Sequence, residues 1–360
     1  MVEAKGIEVL SVTFTAGVAA GTMVSAPFPW TGQVLLLPLL TLPLLLRRPL
    51  VKARSGTAFA VILATFFLLG LFCAVTAQAA GPGITPPWER WAAACVTRLR
   101  AGIDRLPLEQ PGSAPLLKAL LTGDRTGLTR ETVGIFRRSG ASHLLALSGL
   151  HIGIIYLLLD KLSRIPGRAL PVRHIRFWLI VLATGFYTLM TGAVPSIVRA
   201  FLFITIRETL QLSGRPQKSI RVLCLALLVQ LVLQPEVIGS LGVQLSYLAM
   251  AGIFLLYPTL ERWYPASSRW DPFRKIWKMA ALSISCQAFT APLVAWRLRS
   301  LPRHFLLTNL LAIPLTTICV TVAVATVTLS LLGICPLWMV RICDTCCRLL
   351  TDTLGIIAGM

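Results

Sequence analysis

The sequence has few acidic residues and few charges of either sign. Only 14 of its 360 residues are Asp or Glu, against 34 Lys or Arg, which gives a formal net charge of +20. Charged residues make up 13% of the chain, about half the roughly 25% that is usual for soluble proteins. Hydrophobic residues reach 56%. This composition excludes an ordinary soluble globule, whose core cannot absorb so much apolar surface, and it excludes a disordered chain.

Several motifs that carry chemistry are also missing. The sequence has no G-x-x-x-x-G-K-[ST] loop and no G-x-G-x-x-G turn, so we expect no ATP hydrolysis by this chain. It has no H-x-H-x-D-H cluster of the metallo-hydrolase type. Cys343 and Cys346 form a C-x-x-C pair, but no further ligands complete a metal site. We therefore predict no cofactor, no metal and no catalytic residue.

Long apolar runs fill most of the chain. A β-barrel would alternate polar and apolar residues, whereas these runs are continuous, so the predicted fold class is an all-α polytopic integral membrane protein. At about 20 residues a span, the chain has room for about ten or eleven transmembrane or re-entrant helices. The predicted spans are 8–25, 31–46, 57–78, 142–160, 177–192, 195–211, 219–234, 238–257, 279–296, 305–332 and 336–358. Pro314 predicts a broken or re-entrant helix within the tenth run.

Basic residues orient these spans, because they concentrate in every second short loop. Such loops are expected on the cytoplasmic side of the membrane. The pattern predicts a cytoplasmic N-terminus and an exoplasmic C-terminus. Arg297, Arg299 and Arg303 disagree, since they fall on the outer side.

The segment 81–140 differs from the rest of the chain. After a Gly-Pro cluster at 81–87, it predicts amphipathic helices over 88–106 and 114–122. By the topology above it is exoplasmic, yet it carries nine Lys or Arg against five acidic residues. Positive-inside bias does not explain a basic exoplasmic segment. Contact with lipid headgroups and contact with an anionic ligand both remain open.

Polar residues interrupt the apolar run that follows Phe136. His143, Ser148 and His151 lie near the outer end of the predicted fourth span, where Ser148 and His151 share a helix face. Ionisable groups in a membrane usually face a cavity or a partner, and the alternative is a set of interhelical hydrogen bonds. A Ser–His nucleophile pair has the right residue types, but no carboxylate is near enough to orient the imidazole. Ala146 also replaces the first glycine of the G-x-S-x-G elbow.

Further polar residues lie in later spans. Pro195 is expected to open a helix whose first turn presents Ser196 and Arg199 on one face. Arg199 either snorkels to the interface or attracts phosphates in an aqueous path. Asn309 and Pro314 predict irregular backbone around a cavity.

These stretches together resemble the ComEC-type competence proteins. The most specific match runs over 121–151 and includes Gly123, Asp124, Gly140 and Gly149, with HLLA at 143–146 and SGLH at 148–151. Weaker matches follow in the family's order at 191–200, 244–249 and 292–314. The resemblance implies an inner-membrane channel that passes single-stranded DNA into the cytoplasm during natural transformation.

The resemblance also implies how the chain is organised and what it works with. We expect N-terminal transmembrane helices over 1–80, the exoplasmic segment over 81–140 and a channel domain over 141–360. The oligonucleotide-binding and metallo-β-lactamase-like domains of longer relatives are expected to be absent. Besides single-stranded DNA and the lipid bilayer, the implied partners are a separate DNA receptor, a cytoplasmic motor helicase and a nuclease.

Two sets of residues are expected to serve this function. The channel-lining set is His143, Ser148, His151, Thr191, Ser196, Arg199, Gln244, Ser246, Tyr247 and Asn309. The DNA-binding set is Arg98, Arg100, Arg125, Arg137 and Arg138. The alternative functions are a small-anion transporter and, with less support, an intramembrane Ser/His hydrolase.

Overall fold

The computed structural model describes residues 6–23, 55–79, 87–163, 170–215, 217–264, 271–299 and 304–360. These ranges are helical and contain no strand, which confirms the all-α class. The helices are α1 (Gly6–Met23), α2 (Ser55–Ala79), α3 (Pro87–Asp104), α4 (Ser113–Thr122), α5 (Arg130–Arg138), α6 (Ser142–Leu145), α7 (Gly149–Leu162), α8 (Leu170–Met190), α9 (Pro195–Leu212), α10 (Ser219–Leu233), a 3-10 helix (Pro235–Gly239), α11 (Leu241–Leu255), α12 (Tyr257–Arg262), α13 (Pro272–Leu298), α14 (Phe305–Leu331) and α15 (Leu337–Gly359). The predicted span 31–46 and most of the Gly-Pro cluster lie outside the described residues.

Long apolar helices support a polytopic membrane protein. Five stretches in the described part of the chain are long and apolar enough to cross a bilayer. They are Gly6–Met23, Ala60–Gln78, Leu241–Arg262, Phe273–Leu298 and Phe305–Leu331. The total of about ten or eleven spans stays a prediction.

The chain divides into two compact units. The first unit comprises Met1–Thr85 with Thr205–Tyr247, and the second comprises Pro86–Ile204 with Leu248–Met360. The three consecutive regions predicted from the sequence stay a prediction.

In the first unit, α1 and α2 pack with their backbones almost touching. A Cβ atom on Gly17 would lie 2.0 Å from the Phe67 carbonyl oxygen, and one on Gly70 would lie 2.2 Å from the Phe14 carbonyl oxygen. Only glycine fits at either position. Gly17 and Gly21 form a small-xxx-small pair, the pattern that lets membrane helices approach this closely.

The core of the second unit lies between the segment 103–154 and the helices α14 and α15. Leu117 and Leu120 of α4 and Phe136 of α5 are fully buried in the same cluster as Leu350 of α15. The Ser113 hydroxyl also donates a hydrogen bond to the Asp344 carboxylate of α15. The helices predicted over 88–106 and 114–122 are confirmed as α3 and α4. The apolar face of α4 is part of this core.

The prediction of one continuous helix over 142–160 is wrong. Helix α6 ends at Leu145, Ala146 is extended (ψ 135°), and α7 begins only after Ser148, whose φ and ψ are −131° and 168°. The apolar pattern does not reveal this break, because the break depends on hydrogen bonds made by Ser148. His143 therefore lies on α6, Ser148 in the link and His151 on α7, so the three residues do not share one helix.

The break predicted at Pro314 is wrong as well. Helix α14 runs unbroken from Phe305 to Leu331 with Pro314 inside it. A proline removes one helical hydrogen bond, but burial of Ala312 and Thr316 on either side holds the turn in place. Asn309 consequently lies in regular helix and not in irregular backbone.

Candidate functional site

The candidate site is built on the break between α6 and α7. The Leu150 N–H donates to the Ser148 hydroxyl at 3.2 Å, and the Ser148 N–H donates to His151 Nδ1 at 3.3 Å. The Ser148 side chain also accepts from the backbone N–H of His151, so Ser148 and His151 form a capping box, which satisfies N–H groups at the start of α7. Because Nδ1 accepts, the proton of the neutral ring lies on Nε2. His151 is 1% exposed, and its Nε2 has no hydrogen-bond partner among the described residues.

The Ser148 side chain is also within reach of the imidazole, since Oγ lies 3.3 Å from His151 Nδ1. This is the contact that a nucleophilic serine would need. In this arrangement, however, the Ser148 N–H already occupies Nδ1. A capping role accounts for the contact without catalysis.

Two side chains hold the extended link between α6 and α7. Arg125 Nε donates to the Leu145 carbonyl at 3.0 Å. The Ser196 hydroxyl donates to the Leu147 carbonyl at 2.8 Å. Both contacts satisfy carbonyl groups that the helix break leaves without partners. Arg125 is predicted to bind DNA and Ser196 to line a channel. Both side chains have hydrogen-bond partners within the protein.

Arg199 packs directly against the first turn of α7. A Cβ atom on Gly149 would lie 3.1 Å from Arg199 Nη2 and 3.4 Å from Ala200 Cβ. The Arg199 side chain is buried, at 5% exposed. The guanidinium thus adds its charge to the positive end of the α7 dipole. Of the predicted channel-lining residues, Ser148, His151, Ser196 and Arg199 come together here.

Gly123 and Gly140 shape the same region. Gly123 follows α4 with φ +75°, and a Cβ there would lie 2.7 Å from Leu147 Cδ1. Gly140 also has positive φ (+81°), and its carbonyl oxygen is 3.1 Å from His143 Nδ1. Glycine is favoured at both positions because it adopts positive φ without strain. His143 is exposed on α6 and is bonded to this turn.

Thr191 belongs to an open groove of about 530 Å³ between α3 and the end of α8. Its hydroxyl donates to the Tyr187 carbonyl at 2.8 Å. Arg100, on the opposite wall, donates to the Thr122 hydroxyl at 3.3 Å and pairs with Asp124 at 3.2 Å. The groove is therefore polar but not strongly basic.

Asp124 is held as a carboxylate in this network. The Thr126 hydroxyl and N–H donate to it at 2.7 and 3.1 Å. These hydrogen bonds, together with the nearby Arg100 guanidinium, hold the pKa of Asp124 below its usual range. The pair fixes the Arg100 side chain at the groove wall.

The remaining arginines of the DNA-binding set are exposed. Arg98 lies on α3, and Arg137 and Arg138 form the last turn of α5. None of the three has an ion-pair partner within the described ranges. Cations at a helix C-terminus are also favoured by the helix dipole. These three side chains are available to an anionic ligand.

Gln244, Ser246 and Tyr247 belong to the first unit. The Gln244 amide donates to the Ile238 carbonyl at 2.7 Å, and the Tyr247 hydroxyl donates to Gln230 Oε1 at 2.8 Å. These bonds tie α11 to the 3-10 helix and to α10. Ser246 lies between Gln244 and Tyr247 in the sequence of α11.

Sequence reasoning missed Thr308, the neighbour of Asn309. The buried Thr308 hydroxyl donates to the Ser139 carbonyl at 2.6 Å, which ties α14 to the turn after α5. The two residues are 169 positions apart, so no local pattern could reveal the contact. Asn309 itself is half-buried.

The part of the chain that contains these residues is similar to known proteins. The competence protein family matches residues 120–360. The chain is 31% identical over 216 residues to the uncharacterized protein YcaI of Escherichia coli (strain K12), which is 58% of this chain and 28% of that protein. It is 32% identical over 145 residues to ComE operon protein 3 of Bacillus subtilis (strain 168), which is 40% of this chain and 18% of that protein. The chain thus spans less than a third of the length of either relative. No solved structure matches it significantly.

Proposed function

Because the chain belongs to the competence protein family, we propose that it forms an inner-membrane channel that passes single-stranded DNA into the cytoplasm during natural transformation. The observation that carries this proposal is the family match over residues 120–360, which contains the capping box and Arg199. The chain would act as a passive conduit and not as an enzyme. We propose a DNA receptor, a motor helicase and a nuclease as its partners.

The charge of the chain supports an anionic cargo. Single-stranded DNA carries one negative charge for each nucleotide, so a path across lipid must be polar and basic. The net charge of +20 and the exposed Arg98, Arg137 and Arg138 meet this need. Trp91, which is 50% exposed on α3, offers a surface on which a base could stack. We propose these four residues as the capture surface.

Arg100 and Arg125 have a different part in this proposal. Both are bonded within the protein, Arg100 to Asp124 and Arg125 to the Leu145 carbonyl. We propose that they position the capture surface and the α6–α7 link, with at most secondary contact to DNA.

The path itself would use the buried polar residues. Arg199 and the N-terminal end of α7 both carry positive charge, which favours a passing phosphate. We propose Ser148, His151, Ser196 and Arg199 as one section of the lining. Thr191, His143, Asn309, Gln244, Ser246 and Tyr247 stay proposed lining residues. The proposed topology has the N-terminus in the cytoplasm and the C-terminus outside.

Reconstitution of the purified chain tests the proposal. Proteoliposomes and protein-free liposomes would receive a fluorescent single-stranded 20-mer under an inside-positive potential, and label protected from external nuclease would be counted. Protein-dependent entry of the single strand but not of a duplex is expected. Flux of chloride or phosphate without entry of the 20-mer would replace the channel by a small-anion transporter. Labelling by a fluorophosphonate that Ser148→Ala abolishes would favour the hydrolase.

A further inference from the structure

Three cysteine thiols meet in the core of the second unit, between α14 and α15. The Sγ atoms of Cys319 and Cys347 are 3.6 Å apart, and both residues are at most 1% exposed. Cys343, one helical turn before Cys347, has its thiol hydrogen-bonded to that of Cys347. All three are free thiols. The contact joins two helices that are consecutive in the chain.

This arrangement differs from the pair that the sequence singles out. Cys343 and Cys346 form the C-x-x-C motif, but both lie on α15. The sulfur that approaches Cys347 from the neighbouring helix belongs to Cys319. A bond between Cys319 and Cys347 would cross-link α14 to α15, whereas a bond within the motif would link one turn of a single helix.

We propose that Cys319 and Cys347 form a disulfide when the protein meets a membrane-permeant diazene oxidant. One thiolate adds to the N=N bond and forms an S–N bond. The second thiolate then attacks that sulfur, and the S–N bond breaks. The S–S bond forms, the two sulfurs lose two electrons, and the diazene leaves as the hydrazine with both thiol protons. The sulfurs must close from 3.6 Å to about 2.05 Å for the bond to form.

The cross-link would stabilise this part of the protein. It would close a loop between residues 28 positions apart and so restrict the unfolded chain. It would also fasten α15 to α14, the helix that Thr308 ties to the turn after α5. The inference does not depend on DNA transport.

Thiol counting on the purified full-length chain tests the proposal. The protein in detergent would be treated with diazenedicarboxamide, denatured, blocked with N-ethylmaleimide and digested for mass spectrometry. The expected result is a loss of two reactive thiols for each chain, a cross-linked peptide containing Cys319 and Cys347, and reversal by dithiothreitol. No loss of thiols, or a Cys343–Cys346 link in its place, would overturn the proposal.

Variants separate the pair from the other thiols. Cys319→Ala and Cys347→Ala should each abolish the cross-link, while Cys343→Ala and Cys286→Ala on α13 should keep it. The midpoint of thermal unfolding before oxidation shows whether each variant is folded. Oxidation should raise that midpoint in the wild type and in the two controls only. The wild-type peptide map decides the proposal even if a core variant does not fold.

Discussion

His151 Nδ1 accepts a hydrogen bond from the Ser148 N–H at 3.3 Å, and with this bond the two residues define where α7 begins. The third position of a capping box is usually Glu or Gln, so a histidine here is an uncommon choice. The imidazole differs from the Glu carboxylate because it keeps an N–H donor at Nε2, which is buried and has no partner in the described part of the chain. Capping and a functional role of Nε2 can be separated by substitution.

Replacement of His151 by Gln and by Ala distinguishes its capping role from a role in transport. Gln can still accept from the Ser148 N–H, whereas Ala leaves that donor without a partner. His151→Ala should lower the free energy of unfolding by about 1 kcal/mol, and His151→Gln by less. Thermal unfolding in detergent measures the difference. If Gln restores stability but not DNA uptake, the imidazole Nε2 is used in transport; if Gln restores both, the imidazole itself is not needed for transport.

Gly149 should tolerate a side chain poorly, because the buried Arg199 packs against it. Gly149→Ala would set its Cβ atom 3.1 Å from the buried Arg199 Nη2. We expect a loss of about 1 kcal/mol in the free energy of unfolding. Gly153→Ala is the matched control on the same helix, since a Cβ there meets nothing within 4 Å. It should be neutral or stabilise by up to about 1 kcal/mol. Equal effects at the two positions would contradict the close contact.

The packing of α1 on α2 gives a prediction for the first unit. Gly17→Val would force the helices apart, because even a Cβ atom would lie 2.0 Å from the Phe67 carbonyl oxygen. The midpoint of thermal unfolding should fall by several degrees or the chain should fail to accumulate in the membrane. Gly6→Ala, at an open position of α1, should leave both unchanged. A stable Gly17→Val protein would show that the two helices do not meet at this point.

Charge reversal at the end of α5 tests electrostatic capture of DNA. Arg137→Glu with Arg138→Glu changes the local charge by four units, whereas the pair of Ala substitutions changes it by two. Binding of a phosphate backbone depends on such charges, so the Glu pair should reduce DNA uptake about tenfold or more and the Ala pair only several-fold. Lys275→Glu, an exposed residue expected on the cytoplasmic side, is the control. Equal effects of the Glu and Ala pairs would count against electrostatic capture.

Much of the helical architecture could be predicted from apolar runs alone. Helices α1, α2 and α4 appear within a few residues of their predicted bounds, and Pro195 opens α9 as expected. The break before α7 could not be predicted in this way, because Ala146 and Leu147 continue the apolar run. The three-residue spacing of Ser148 and His151 was visible in the sequence, but it indicates a shared helix face as readily as a capping box.

The errors and omissions in the candidate site have one physical cause. A contact such as Thr308 to Ser139 or Arg199 to Gly149 depends on tertiary packing, which a local pattern does not record. Pro314 illustrates the converse, since its local preference for a break is overridden by the packing of α14. The Gly17-x-x-x-Gly21 pair, in contrast, is a close contact for which the sequence holds a readable signal.

Uptake of labelled DNA in cells tests the proposed channel most directly. The gene would be deleted, fluorescent duplex DNA supplied, and label scored separately at the surface, in the outer compartment and in the cytoplasm. The channel predicts that DNA still reaches the outer compartment but enters the cytoplasm only when the wild-type gene is restored, and that Arg199→Gln restores it poorly. Cytoplasmic entry that is unchanged by the deletion would contradict the proposed function.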